Sequence, residues 1–86
     1  MAKDEVKVHE LKSHPWFFES LLDGTKRFEL RKNDRGFKVG DTLLLKEWKP
    51  KDEVYTGREV RARVLYLTED SNFVQPGIVA MSIELF

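Results

Sequence analysis

The chain contains no cysteine, so no disulfide staples it, no thiol serves as a nucleophile, and no thiolate holds a metal. No apolar run approaches membrane-spanning length, and the opening Met1-Ala2-Lys3-Asp4-Glu5-Val6-Lys7 is charged, unlike the apolar region of a secretion signal. These absences predict a soluble, cytoplasmic protein. Net charge is missing as well, because 15 basic residues face 15 acidic ones. A high-affinity, non-specific coat for DNA needs a larger positive excess than that. There is no phosphate-cradling glycine loop, no metal-ligand spacing, no internal repeat and no linker. What remains is a chain of 86 residues, expected to form one domain over 1–86, bind no cofactor and stay monomeric. A chain of this size buries roughly 60–65% of its unfolded surface, enough for one core without staples.

The charge is unevenly spread. Residues 25–38 carry six basic side chains (Lys26, Arg27, Arg31, Lys32, Arg35 and Lys38) against Glu29 and Asp34. Residues 57–68 carry Arg58, Arg61 and Arg63 against Glu59, whereas 69–86 hold only acids. Such polarisation suits a local anion-binding face.

Hydrophobic periodicity supplies the element order. Residues 5–11 alternate, with Val6 and Val8 on one face, and predict a first strand. Ser13-His14-Pro15 then predicts a helix start, Ser13 or His14 acting as N-cap and the proline sitting in the first turn. The helix runs to about Asp23, and Gly24 occupies the expected left-handed cap. Phe17, Phe18, Leu21 and Leu22 share one helical face, while Trp16 falls with the polar side. A second strand follows over 25–32, turns at Asn33-Asp34-Arg35-Gly36 and Val39-Gly40-Asp41, then a strand from Thr42 to Trp48. Lys49-Pro50-Lys51-Asp52-Glu53 reads as a solvated loop. From Gly57 to Thr68 the alternation puts Val60, Ala62, Val64 and Tyr66 inward; this length predicts a bend or service to two sheet regions. A last strand covers Ile78 to Phe86, with Val79, Met81, Ile83 and Leu85 on one face. The pattern predicts an α+β fold, one amphipathic helix packed on a twisted, closed antiparallel sheet.

The segment Gly24-Thr25-Lys26-Arg27-Phe28-Glu29-Leu30-Arg31 is the most informative. In a strand, Phe28 and Leu30 point one way and Arg27, Glu29 and Arg31 the other. A carboxylate between two guanidiniums can hold an ordered, partly desolvated polar site, although a solvated face of weak ion pairs explains the pattern too. His9 alternates away from Val6 and Val8, on the non-core side, where it can line a cleft. His14 reads as a capping or surface residue, and the five-residue spacing from His9 makes a poor metal site. Trp16 offers a face for base stacking or packs under a loop. Trp48 and Tyr55 flank the long loop as core edge or pocket rim.

The run Gly24-x-Lys26-x-x-Glu29-x-Arg31, after a short helix and before Val39-Gly40-Asp41, resembles the G-x-K-x-x-E-x-R signature of ASCH domains. These domains are a branch of the PUA-like β-barrel superfamily. His9-Glu10-Leu11-Lys12, Glu29 to Arg35 and Tyr55-Thr56-Gly57-Arg58-Glu59-Val60 are similar to a small uncharacterised ASCH-like family of bacteria and phages. The resemblance implies a small barrel with a cleft between helix and sheet, proposed in the superfamily to bind RNA or modified nucleosides. By position, Lys26, Glu29 and Arg31 would line that cleft, with Lys12, Trp16, Asn33 and Arg35 as additions near the same junction.

Two functions follow as expectations. The first is a binding module for single-stranded RNA or a modified nucleotide, combining phosphate attraction with stacking. The second is a small hydrolase, because some ASCH proteins cleave the amide of acylated cytidine nucleosides with a lysine, a threonine and a glutamate. Lys26 matches that lysine, but Glu29 stands at the threonine position. Catalysis by Lys26 and Glu29 would need a lysine in a dry pocket acting as base. A protein-interaction role for the basic strand is a third, plainer possibility.

Overall fold

In a computed structural model, residues 6–86 are described, and the strand start expected at Glu5 lies outside them. Five strands and one helix follow in the order β1 (Val8–Ser13), α1 (Pro15–Leu22), β2 (Phe28–Lys32), β3 (Thr42–Lys49), β4 (Val54–Thr68) and β5 (Ile78–Leu85). The sheet runs β1-β3-β4-β5-β2 and curls into a half-barrel around α1. Its β1–β3 pair is parallel and the other pairs are antiparallel, which corrects the expectation of a fully antiparallel closed sheet. The correction has a topological cause. After β1 the chain passes through α1 and then adds β2 beside β5, at the far edge, before returning to pair β3 with β1. A parallel neighbour needs such a long crossover.

The core is built from the inner sheet face and one helical stripe, Leu11, Leu43, Leu45, Ala62, Val64, Val79, Met81 and Ile83 against Phe18 and Leu21, with Phe37 added from the β2–β3 connection. A helix of 8 residues does not stand alone in water, so α1 depends on this packing. Phe18 and Leu21 face inward, whereas Phe17 and Leu22 stay about half exposed.

Two further expectations are corrected. In β1 the buried residues are His9, Leu11 and Ser13, while Val8 points to solvent, so the inward face is the opposite of the one expected. The odd-numbered residues face the core because Leu11 sits beside Leu45 and His9 beside Leu43 in the parallel register. The imidazole is tolerated there because Asp41 Oδ2 lies 2.8 Å from His9 Nε2 and the ring packs 4.7 Å from Phe37. In β4, Tyr66 is 69% exposed. The register slips between Val64 and Tyr66, and this bulge turns Tyr66 outward and brings Leu67 toward the core. β4 does serve two neighbours, β3 along its first half and β5 along its second.

A second irregularity fastens the helix. Across from Glu47 the β3–β4 register also slips, and Gly57 takes φ 97°, a left-handed conformation open to glycine. The extra residues aim both Thr56 and Arg58 at the buried Glu47 carboxylate, at 2.7 Å and at 2.9 Å respectively. Arg58 also reaches Glu19 on α1 at 2.6 Å and lies 5.0 Å over the Phe18 ring. The hydrogen bonds from Arg58 and Thr56 outweigh burial and hold the Glu47 carboxyl down to about 2. Burial pushes Asp41 up, but its bonds from His9 and from the Lys7 and Lys38 amides win and hold it below the ordinary value.

Both carboxyls are depressed in the folded chain, so they stabilise it above the unfolded value, near 4.5 for Glu47, and progressively less as pH falls toward about 2. Urea midpoints should therefore drop steeply between about pH 5 and pH 2.5, and Glu47→Gln should flatten that slope. An unchanged slope in the variant would show that Glu47 is not a source of the acid sensitivity.

Candidate functional site

The site begins where the helix stops. Gly24, at φ 85°, ends α1, and the Thr25 and Lys26 amides both donate to the Ser20 carbonyl, at 3.1 and 3.0 Å. Asp23 accepts from the Thr25 amide and hydroxyl at 2.9 and 2.7 Å, which lowers its pKa, the hydroxyl bond contributing most. This exit is tightly tied, so Lys26 leaves the helix in a fixed direction.

β2 then alternates as its sequence suggests, and it is the charged side that turns inward. Glu29 pairs with Met81 and Arg31 with Val79, two buried positions on β5. Phe28 and Leu30 are left 50% and 56% exposed, whereas Glu29 is only 3% exposed. A carboxylate removed from water must be compensated. Lys26 Nζ lies 2.6 Å from Glu29 Oε2 and also donates to the Phe28 carbonyl at 2.8 Å. Arg31 Nε donates to Glu29 Oε1 at 3.0 Å, and its Nη2 donates to the Lys12 carbonyl at 2.9 Å. That last bond spans the gap between β2 and β1, the two edges of the sheet. Arg31 thus bridges the open side of the half-barrel with a side chain where backbone pairing is absent.

Over this triad lies a hollow of about 380 Å³, lined by Lys12, His14, Phe17, Lys26, Phe28, Glu29, Leu30 and Arg31. Three cations stand against one carboxylate, and Phe17, Phe28 and the His14 ring contribute aromatic walls. Lys26 Nζ sits 5.5 Å from the Phe17 ring centre and 5.1 Å from that of Phe28, close enough for cation–π attraction. The arrangement can draw in an anionic group, hold a flat ring and exclude water. A larger hollow, of about 540 Å³, lies across the α1–β2 link and touches Lys26, Leu22 and Leu65. It contains no buried ion triad, so the smaller hollow is the stronger site.

The sequence-derived candidates divide accordingly. Lys12, Lys26, Glu29 and Arg31 come together. Trp16 is 59% exposed on the helix, packed edge-on to His14 and against Phe17, outside the lining of the hollow. Arg35 is 3.8 Å from Asp34 and borders a separate cavity of about 210 Å³. Asn33 donates its backbone amide to Gly77, and its side-chain oxygen is buried without a partner. His9, expected at a cleft, lies in the core. Sequence reasoning missed His14, Phe17 and Phe28 as walls. It also missed the Glu47–Arg58 clamp, although an acid at the inward position after Leu43 and Leu45, opposite a mid-strand glycine, was a readable sign.

Among the described residues no group of three His, Asp or Glu side chains is placed to hold a metal, and no helix is long and apolar enough to cross a membrane.

The fold and site define a small α+β protein with one helix on a curled five-stranded half-barrel sheet. Residues 8–83 match the family model described as a domain of unknown function, DUF3850, and the chain belongs to that family. It is 45% identical over 70 residues to an uncharacterised 12.9 kDa protein in the GpA 3′ region of Escherichia phage P2. That match takes in 81% of this chain and 62% of the phage protein's length. The crystal structure of hypothetical protein PH0355 superimposes with a TM-score of 0.64, covering 94% of this chain and all of the other. At 18% identity, that likeness concerns the fold alone.

Replacing Glu29 by Gln should leave two cations without their counter-charge and destabilise the protein by about 1–3 kcal/mol in chemical denaturation. A Glu29→Gln protein as stable as the wild type would mean that the triad does not hold the β1–β2 seam.

Proposed function

We propose that the protein is an RNA- or modified-nucleotide-binding module that holds one nucleotide in the hollow between α1, β1 and β2. The observation that carries this reading is the buried Glu29 between Lys26 and Arg31 at the base of an aromatic-walled cavity. An arginine has five donors, and those of Arg31 not spent on Glu29 and the Lys12 carbonyl suit a phosphate oxygen. Glu29 accepts from a base amino group, and Phe17 and Phe28 offer faces to a base or sugar. About 380 Å³ suits a mononucleotide unit. The similarity of Gly24-x-Lys26-x-x-Glu29-x-Arg31 to ASCH domains of the PUA-like superfamily supports the same ligand class, by analogy of fold and motif.

The hydrolase alternative has less support. Lys26 is engaged as a donor to Glu29 and to the Phe28 carbonyl, whereas a general base must present a lone pair. The neighbouring Thr25 hydroxyl is turned to Asp23 and Ser20, away from the hollow.

Amide-shift titration with uridine monophosphate and with short RNAs should move the resonances of Lys26, Glu29 and Arg31. RNA affinity should fall about tenfold between ~50 and ~200 mM salt, as expected for roughly two to three phosphate contacts. Arg31→Glu should remove binding while circular dichroism confirms the fold. No salt-dependent shift with any short RNA at micromolar protein would refute the reading. Release of cytidine and the free carboxylic acid from acylated cytidine, absent in Lys26→Ala, would establish the hydrolase instead.

A further inference from the structure

Lys12 belongs to two places at once. It lines the hollow, and its ammonium lies 4.0 Å over the Trp48 ring on the outer face of the sheet. The parallel register sets Lys12 directly beside Lys46, a like-charge neighbour pair of the kind that disfavours a sheet. Lys46 is relieved in the same fashion, 4.8 Å over Tyr55, with Glu10 at 3.4 Å. Trp48 and Tyr55 pair across β3 and β4 and meet edge to face at 4.9 Å. Two adjacent lysines, each resting on an aromatic ring, thus form a stripe that begins at the mouth of the hollow. The core does not need it. Across β4 the stripe meets Glu59, opposite Lys46, and then Arg61, beside Leu44.

We propose that this stripe is the path of a single-stranded RNA whose terminal or flipped nucleotide occupies the hollow. The inference rests on the nucleotide-binding reading of that hollow and adds the route by which a strand reaches it. Charge complementarity argues for the occupant. Among the described residues no carboxylate lies within ion-pair distance of Lys12, and Lys46 is shared with Glu10 at 3.4 Å, so a phosphate can answer Lys12, and each lysine can swing from its ring to a phosphate. The vacated faces of Trp48 and Tyr55 then stack bases, which tolerates any sequence because every base has a π face. A mononucleotide would occupy the hollow alone and leave the stripe untouched.

The test uses Trp16→Phe, in which Trp48 is the sole tryptophan. Hexauridylate should quench Trp48 fluorescence and bind at least tenfold more tightly than uridine monophosphate, which should bind without quenching. Lys46→Glu, checked for folding by circular dichroism, should weaken the hexamer at least fivefold and leave the monophosphate unchanged. Equal affinities, or hexamer binding with Trp48 silent or Lys46→Glu indifferent, would overturn the stripe while leaving the hollow intact. If neither ligand shifts the amides of Glu29 and Arg31, the hollow reading fails and the stripe falls with it. Quenching by a hexamer that Arg31→Glu binds as well as wild type would also overturn the continuous path.

Discussion

Glu29 is a carboxylate held almost wholly out of water on the inner wall of a curled sheet, and two cations answer its charge. Lys26 comes from the tied exit of α1, Arg31 from two residues further along β2, and the Lys12 carbonyl of β1 takes the other end of the Arg31 guanidinium. Without that carboxylate, two cations would crowd the same hollow, and Arg31 would lose the anchor from which it spans the sheet's open side. The half-barrel therefore depends on a polar seam at the place where a closed barrel would have a ladder of backbone bonds. Such seams stabilise modestly and specify strongly, because a buried charge tolerates few arrangements.

The same seam explains why a site exists there at all. A backbone-paired junction would be filled and closed. A junction bridged by long side chains leaves space beside them, and here the space is walled by Phe17 and Phe28 and carries a positive excess. The seam and the hollow share the same atoms. The second ionic cluster, Glu47 with Arg58, Thr56 and Glu19, is of another kind: it fastens α1, through Glu19, to β3 and β4 and lines none of the hollows described above. The Arg58 clamp grips the helix at Glu19 and Phe18, and the tied exit toward Lys26 fixes its C-terminus, support that an 8-residue helix with no side-chain N-cap bond requires.

The family of unknown function and the phage relative place this chain among small proteins whose biochemistry is read from the site. In that reading the hollow selects a nucleotide-sized ligand and the outer stripe gives it a polymer context. Lys12 joins them, since its backbone closes the seam while its side chain lies on Trp48.

Much of this was legible in the sequence, and the reasons are local. The helix announced itself by His14-Pro15 and Gly24, and β2, β4 and β5 by alternation, because both signals depend on backbone geometry within a few residues. The grouping of Lys26, Glu29 and Arg31 followed from spacing and from the motif they share with ASCH domains. Which side of a strand faces inward was another matter. Val6 and Val8 looked like core and His9 like surface, yet His9 is buried, because its parallel partner β3 and the acceptor on Asp41 lie more than thirty residues away. Tyr66 obeyed an alternation that a single bulge reversed. The elements, their order and the charges available to a site are written locally in the chain. Which of those charges are buried together is a matter of long-range assembly, since burial is set by partners distant in the chain and pairing register carries no local signature.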